Sequence, residues 1–187
     1  MWTITIIGKG GHAKAVRDVI KEEGSFRVAD IVDSNEYRGE SGDNCVIAIG
    51  DVSVREMLWN LLKNEGVRFP VIVSPRAYLA DDVLIKESTI VMHDALVNAG
   101  SRIGLNCIIN TKACIEHDCI IGRHCHLASG VVLGGGCTIG DKIFIGSNAT
   151  VKAGVSICSN VVIGAGAVIV DNIKESGTYV GCPGRKI

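Results

Sequence analysis

The sequence predicts two structural parts: a small α/β, Rossmann-like half domain over residues 1–75, followed by a parallel β-helix over 76–187. Three observations carry this. First, from Leu79 to Ile169 every sixth residue is aliphatic, sixteen of sixteen without an insertion. At the composition of this region the chance of that is on the order of 10⁻⁸, so it is a repeat and not an accident of composition. Second, strand-like and helix-like segments alternate before that point, as in a parallel α/β unit. Third, six of the eight aromatic residues (Trp2, Phe26, Tyr37, Trp59, Phe69 and Tyr78) lie in the first 78 positions, and only Phe144 and Tyr179 follow.

In the first part, residues 3–8 (TITIIG) read as a buried strand and 8–11 (GKGG) as a glycine turn. Residues 12–24 have helical spacing at Ala15, Val16, Val19 and Ile20 and stop at Gly24. Further strands are expected over 26–33, over 45–51 and near 70–73, with a helix at about 52–65. The run Gly8-Lys9-Gly10-Gly11-His12-Ala13 is G-x-G-x-x-A between a strand and a helix, and Asp33 lies 20 residues beyond Ala13. Glycines there let backbone N–H groups reach a phosphate, and an acid at the end of the next strand holds a ribose hydroxyl. The unit ends before a second mononucleotide half can be built. The expected ligand is therefore part of a nucleotide, such as a nucleotide sugar, and not NAD. Gly50, ending the third strand, would line the same edge.

In the second part, a period of six with one inward aliphatic residue fits short flat strands joined by corners. Gly often follows the aliphatic residue, as at Gly104, Gly122 and Gly140, and is assigned to the corners. Four places after the aliphatic residue the side chain is small: Cys107, Ala113, Cys119, Cys125, Cys137, Ala149, Ala167. These cysteines are read as core and inert. Three hexads per coil would give roughly five coils at about 4.8 Å each.

The chain carries 19 basic and 20 acidic residues with no basic run, which speaks against a nucleic-acid partner. The N-terminus has no signal-peptide pattern and no apolar run reaches membrane-spanning length. Eight cysteines without such a signal suggest reduced thiols and a cytoplasmic location.

Residues 113–130, ACIEHDCIIGRHCHLASG, hold three of the five histidines. With the cysteines assigned to packing, Glu116, His117, Asp118, His124 and His126 remain. His117 and His126 are nine apart, half of an eighteen-residue coil, and would face different sides of a prism. They could approach each other only across a subunit boundary, and no metal is expected. His117, flanked by Glu116 and Asp118, suits a general base with a carboxylate to orient it. Strict strand alternation opposes this, since neighbours would point to opposite faces. Asp118 would need a corner to reach His117.

The stretch NTKACIEHDCIIGRHCHLASGVVLGG, after a G-x-G-G-H start and before a VGCPGRKI tail, resembles the bacterial sialic-acid O-acetyltransferase and UDP-4-amino-sugar N-acetyltransferase family. The resemblance covers essentially the whole chain. It implies a left-handed β-helix, an acetyl-CoA donor, a nucleotide-sugar acceptor and a homotrimer with sites between subunits. It also implies that His117 is the general base, that Asp118 raises its basicity, and that Asn110 lies near the reacting amine. Gly10, Gly11, His12, Asp33 and Gly50 would contact the acceptor. His126, Ser147 and Ala165 would contact the CoA arm. Ser34, Lys9 and Gly10 depart from some sugar-nucleotide members, so the match does not choose the sugar. The function expected is N-acetylation of a UDP- or GDP-linked 4-amino-4,6-dideoxysugar, with O-acetylation of a sugar hydroxyl or a non-catalytic β-helix scaffold as alternatives.

Overall fold

The computed structural model describes residues 1–37 and 39–187. Strand β1 (Trp2–Ile7) leads into helix α1 (Gly11–Glu23), strand β2 (Phe26–Val32), strand β3 (Cys45–Ile47) and helix α2 (Val52–Asn64). The three strands form a parallel sheet in the order β2–β1–β3. Alternation along β1 sends Ile4 and Ile6 to one face and Ile7 to the other. Helix α1 covers the first face with Ala13, Val16, Val19 and Ile20. Helix α2 covers the second with Leu58 and Leu62. Gly24 ends α1 in the left-handed conformation, φ 79°, with its N–H on the Ile20 carbonyl. Asp51 caps α2 by accepting from the Val54 N–H at 2.9 Å.

The rest of the chain is a parallel β-solenoid of about six turns. Its strands are mostly two residues long and pair eighteen positions apart: Ile90 with Ile108, Ile108 with His126, His126 with Phe144. The coil is therefore three hexads. One face carries the strands from Ile72–Val73 through His126–Leu127 to Gly177–Val180. A second carries those from Tyr78–Leu79 through Cys114–Ile115, and a third those from Leu84–Ile85 through Ile120–Ile121. A hairpin of Gly177–Val180 with Arg185–Lys186 closes one edge of the first face.

Two sequence readings are corrected. The strand near 70–73 does not join the small sheet. Ile72–Val73 pairs with Ile90–Val91 as the first rung of the solenoid, which raises the coils beyond the expected five. Its two side chains serve both cores: Ile72 packs with Ile4 and Val16, and Val73 lies against the solenoid interior. The glycines after the aliphatic residues are not the unusual corners. The left-handed residue comes two places later, at every sixth position from Ser88 to Gly166, with φ between 54° and 74°. Asn and Asp fill several of these positions, as their short polar side chains favour. The glycines instead stack coil on coil. A Cβ on Gly104 would lie 2.5 Å from the backbone of Gly122.

The cysteines on the small position are buried free thiols, as expected. Several donate to a carbonyl of the following coil: Cys107 to Gly122 at 3.1 Å, Cys119 to Gly134 at 3.3 Å, Cys125 to Gly140 at 3.1 Å.

Candidate active site

His117 and Asp118 occupy the corner between the second and third faces. Asp118 takes the left-handed conformation there, φ 58°, which breaks strand alternation and swings its carboxylate back to its neighbour. Asp118 Oδ2 lies 2.8 Å from His117 Nδ1. A carboxylate only accepts, so Nδ1 carries the hydrogen, and in the neutral ring the lone pair is on Nε2. The pair stands in the open, with 63% and 73% of the two side chains exposed. Glycines of adjacent coils give it room. A Cβ on Gly135 would sit 2.5 Å from His117 Nε2, and one on Gly100 would meet Asp118 Oδ1 at 2.5 Å. Neither glycine was singled out in the sequence, and their only signal is their place one coil away from the pair. Glu116 turns elsewhere: its carboxylate accepts from Asn98 Nδ2 at 3.1 Å and from Cys114 Sγ at 3.7 Å. The carboxylate that contacts His117 is thus that of Asp118, and Cys114 has its partner in Glu116.

A second group forms where the α/β part meets the first face. Gly8, Gly10, Gly11, His12, Asp33 and Gly50 line one cavity of about 380 Å³ at the ends of β1, β2 and β3. Gly8 adopts φ 123°, and a Cβ there would be 2.9 Å from the Ala48 carbonyl, so this position requires glycine. Gly10 and Gly11 face open space, where a Cβ would meet nothing within 4 Å. Asp33 accepts from the Asn35 N–H, and Lys9 pairs with Glu36 at 2.9 Å. His12 stacks on His126 with ring centroids 6.3 Å apart. Its Nε2 is buried without a hydrogen-bond partner. A buried nitrogen left without a partner, on a residue that lines a cavity, is what a ligand donor or acceptor would satisfy after a small shift of the ring.

His126 touches two residues of this cavity's lining, His12 and Gly50. Its Nδ1 lies 3.0 Å from the Gly50 carbonyl and its Nε2 3.4 Å from Asn110 Nδ2, with the Phe144 ring edge-on at 5.2 Å. Burial first, then His126 and Arg55, pushes His12 down to about 4. Burial likewise pushes His126 down to about 4, against the Gly50 hydrogen bond. Both rings are neutral at pH 7.

Ser147 and Ala165 lie on successive coils at the exposed corner between the first and second faces, joined by the Gly166 N–H on the Ser147 carbonyl at 2.9 Å. One chain therefore brings His12, Gly50, Asn110 and His126 together and carries Ser147 and Ala165 on the corner that Asn110 opens, two and three coils further on, but sets His117 with Asp118 at another corner. His124 belongs to none of these groups. It is buried under α2, where it accepts from Asn106 Nδ2 at 2.8 Å and meets Trp59 edge-on. Among the described residues no three His, Cys, Asp or Glu side chains group as a metal ion would need.

Residues 3–62 match the PglD N-terminal domain, and residues 100–135 and 136–171 match the bacterial transferase hexapeptide (six repeats). UDP-N-acetylbacillosamine N-acetyltransferase of Bacillus subtilis (strain 168) is 30% identical over 112 residues, which is 49% of this chain and about half (52%) of that relative. The acetyltransferase domain of PglB from Neisseria gonorrhoeae, solved with acetyl coenzyme A, superposes with a TM-score of 0.90 at 28% identity, covering 99% of this chain and 98% of that one. A mutant of perosamine N-acetyltransferase from Caulobacter crescentus, solved with CoA and GDP-perosamine, gives a TM-score of 0.91 at 32% identity, covering 98% and 96%. With that identity sustained across both parts, the chain belongs to the hexapeptide-repeat family of bacterial nucleotide-sugar acetyltransferases.

Proposed function

We propose that this protein transfers the acetyl group of acetyl-CoA to the amino group of a nucleotide-linked 4-amino-4,6-dideoxysugar, carried by UDP or GDP. The observation that carries the reading is the His117–Asp118 pair: an accessible imidazole with its Nδ1 hydrogen committed to a carboxylate and its Nε2 lone pair free. The neutral amine attacks the thioester carbonyl carbon. As the new C–N bond forms, His117 Nε2 takes a proton from the nitrogen. The C–S bond then breaks, and the proton on His117 passes to the departing CoA sulfur. No acyl-enzyme is required, since no Ser or Cys hydroxyl or thiol lies within hydrogen-bond reach of His117 among the described residues.

The glycine-lined cavity above β1–β3 suits a nucleotide diphosphate, with Gly10 and Gly11 open to it, His12 at its floor and Asp33 at its rim for a ribose hydroxyl. Asn110 and His126 are solenoid residues next to the part of the lining formed by His12 and Gly50. Ser147 and Ala165 form an exposed track on which an extended CoA arm could lie. Because these groups and His117 occupy different corners of one chain, we assign the complete site to the junction of two subunits in a homotrimer, working in the cytoplasm where acetyl-CoA is supplied.

The test is a panel of UDP- and GDP-linked amino sugars and their hydroxyl counterparts with acetyl-CoA, following free CoA with a thiol reagent. Turnover with an amino acceptor is expected. Turnover with hydroxyl acceptors alone would replace N- by O-acetylation, and turnover with none would leave a binding scaffold.

A further inference from the structure

Arg55, on α2, has 1% of its surface exposed and no carboxylate among its acceptors. Its guanidinium spends its donors on six backbone carbonyls. Nε donates to Asn106 at 3.1 Å. Nη1 reaches Ile49 at 3.1 Å, Gly50 at 3.0 Å and Asp51 at 3.4 Å. Nη2 reaches His124 at 3.0 Å and Cys125 at 3.1 Å. Three of these carbonyls belong to the loop between β3 and α2, and three to the corner between the third and first faces of the solenoid: Asn106 on one coil, and His124 and Cys125 on the next, leading into His126. A buried cation without an anion is costly, and a hydrophobic residue of similar volume would serve a merely structural dock. The planar fork with five N–H groups is what six converging carbonyls need.

The Gly50 carbonyl is the shared atom. It accepts from Arg55 Nη1 and from His126 Nδ1, both at 3.0 Å. Since a carbonyl only accepts, this contact places the hydrogen of His126 on Nδ1 and leaves Nε2 as an acceptor, matched to the amide donor of Asn110 at 3.4 Å. The ring's other neighbours, His12 and Phe144, make no competing hydrogen bond to it. We propose that Arg55 is a positioning residue: by holding the Gly50 carbonyl against His126 it fixes which ring nitrogen can accept, so that the dock between the two parts of the chain also sets the face His126 offers to the Asn110 amide or, in its place, to a ligand N–H such as an amide of the CoA arm. The last clause rests on the function proposed above. The tautomer does not.

The experiment uses the whole protein labelled with [15N]histidine, reading long-range 15N–1H spectra, with His126 assigned by the signal lost in His126→Gln. In the unaltered protein His126 is expected as a single Nδ1–H tautomer. A Nε2–H or mixed ring there would overturn the proposal without any variant having to fold. Arg55→Lys, which keeps a cation with fewer donors, and Arg55→Met are expected to mix the tautomers and raise the acetyl-CoA KM on the order of tenfold, the worth of one hydrogen bond. A folded variant that keeps pure Nδ1–H also overturns the proposal. Mixed tautomers with an unchanged acetyl-CoA KM would uphold the positioning by Arg55 and remove His126 from the CoA contact.

Discussion

At the scale of single residues, the adjacent pair His117 and Asp118 shows how a corner does what a strand cannot. In a strand the two would point to opposite faces. The left-handed φ of 58° at Asp118 folds the carboxylate back to 2.8 Å from Nδ1. If His117 is the base, His117→Ala lowers kcat by about 10²–10⁴ with both KM values little changed, and Asp118→Asn costs less because the imidazole remains. Steady-state kinetics against both substrates checks this. Gly135 offers a sharper test. A methyl group 2.5 Å from Nε2 must displace the exposed ring. Gly135→Ala is expected to cost about 10–100-fold in kcat through misplacement, with a thermal midpoint close to the original. Normal turnover in that variant would show that Nε2 over Gly135 is not the working position.

At the scale of the repeat, two kinds of glycine do different jobs, and the hexad separates them by two positions. Gly104 follows the aliphatic residue and lies against backbone that has nowhere to go: its Cβ would be 2.5 Å from both C and O of Gly122. Gly136 holds a left-handed corner at φ 68° with nothing within 4 Å of its Cβ. Gly104→Ala should therefore destabilise by about 1–3 kcal/mol, as overpacking does. Gly136→Asn should fall within about 1 kcal/mol of the parent, since Asn already takes the same left-handed hexad position on the other two corners, at 106, 148 and 160. Chemical denaturation of both variants compares them directly. Equal losses would mean that conformation, and not stacking distance, governs the repeat.

For the whole molecule, the dock between the α/β part and the solenoid buries His12, His126 and Arg55 together. The two imidazoles titrate at about 4 when folded and near 6.5 when unfolded, with Arg55 as the facing cation. Above pH 6.5 neither state binds a proton there, so the effect is absent. As pH falls from 6.5 towards 4 the unfolded chain takes up protons that the folded one refuses, and stability drops, by on the order of 3 kcal/mol per ring at most. Denaturant midpoints between pH 7 and pH 4 should fall accordingly, and the fall should shrink in His12→Gln. An equal fall in that variant would place the pH sensitivity elsewhere. The proposed junction of two chains makes a separate prediction. Mixing inactive His117→Ala subunits with inactive His126→Ala subunits should restore part of the activity, because some junctions then join two unaltered residues. Proven subunit exchange with no recovery would argue for a site within one chain.

The sequence by itself determined the two-part fold, since a hexad repeat leaves few ways to bury one aliphatic residue in six, and βα alternation with a glycine turn leaves few others. It also determined which cysteines are core, because the narrow interior selects small side chains at one fixed offset. The same letters could not tell Asp118 from Glu116 as the partner of His117, because both flank it, and only the φ of the corner decides which carboxylate returns to the ring. They could not separate stacking glycines from corner glycines, since that depends on the coil eighteen residues away. Nor did they mark Arg55, whose place three residues before Leu58 and seven before Leu62 on the buried stripe of α2 is the only sequence signal it leaves. Its six carbonyl partners come from two segments about fifty to seventy residues later and from its own loop, and converge only when the two parts dock. The tertiary structure decided these points because hydrogen bonds read distance in space, and a solenoid makes neighbours of residues that the sequence holds a full coil apart.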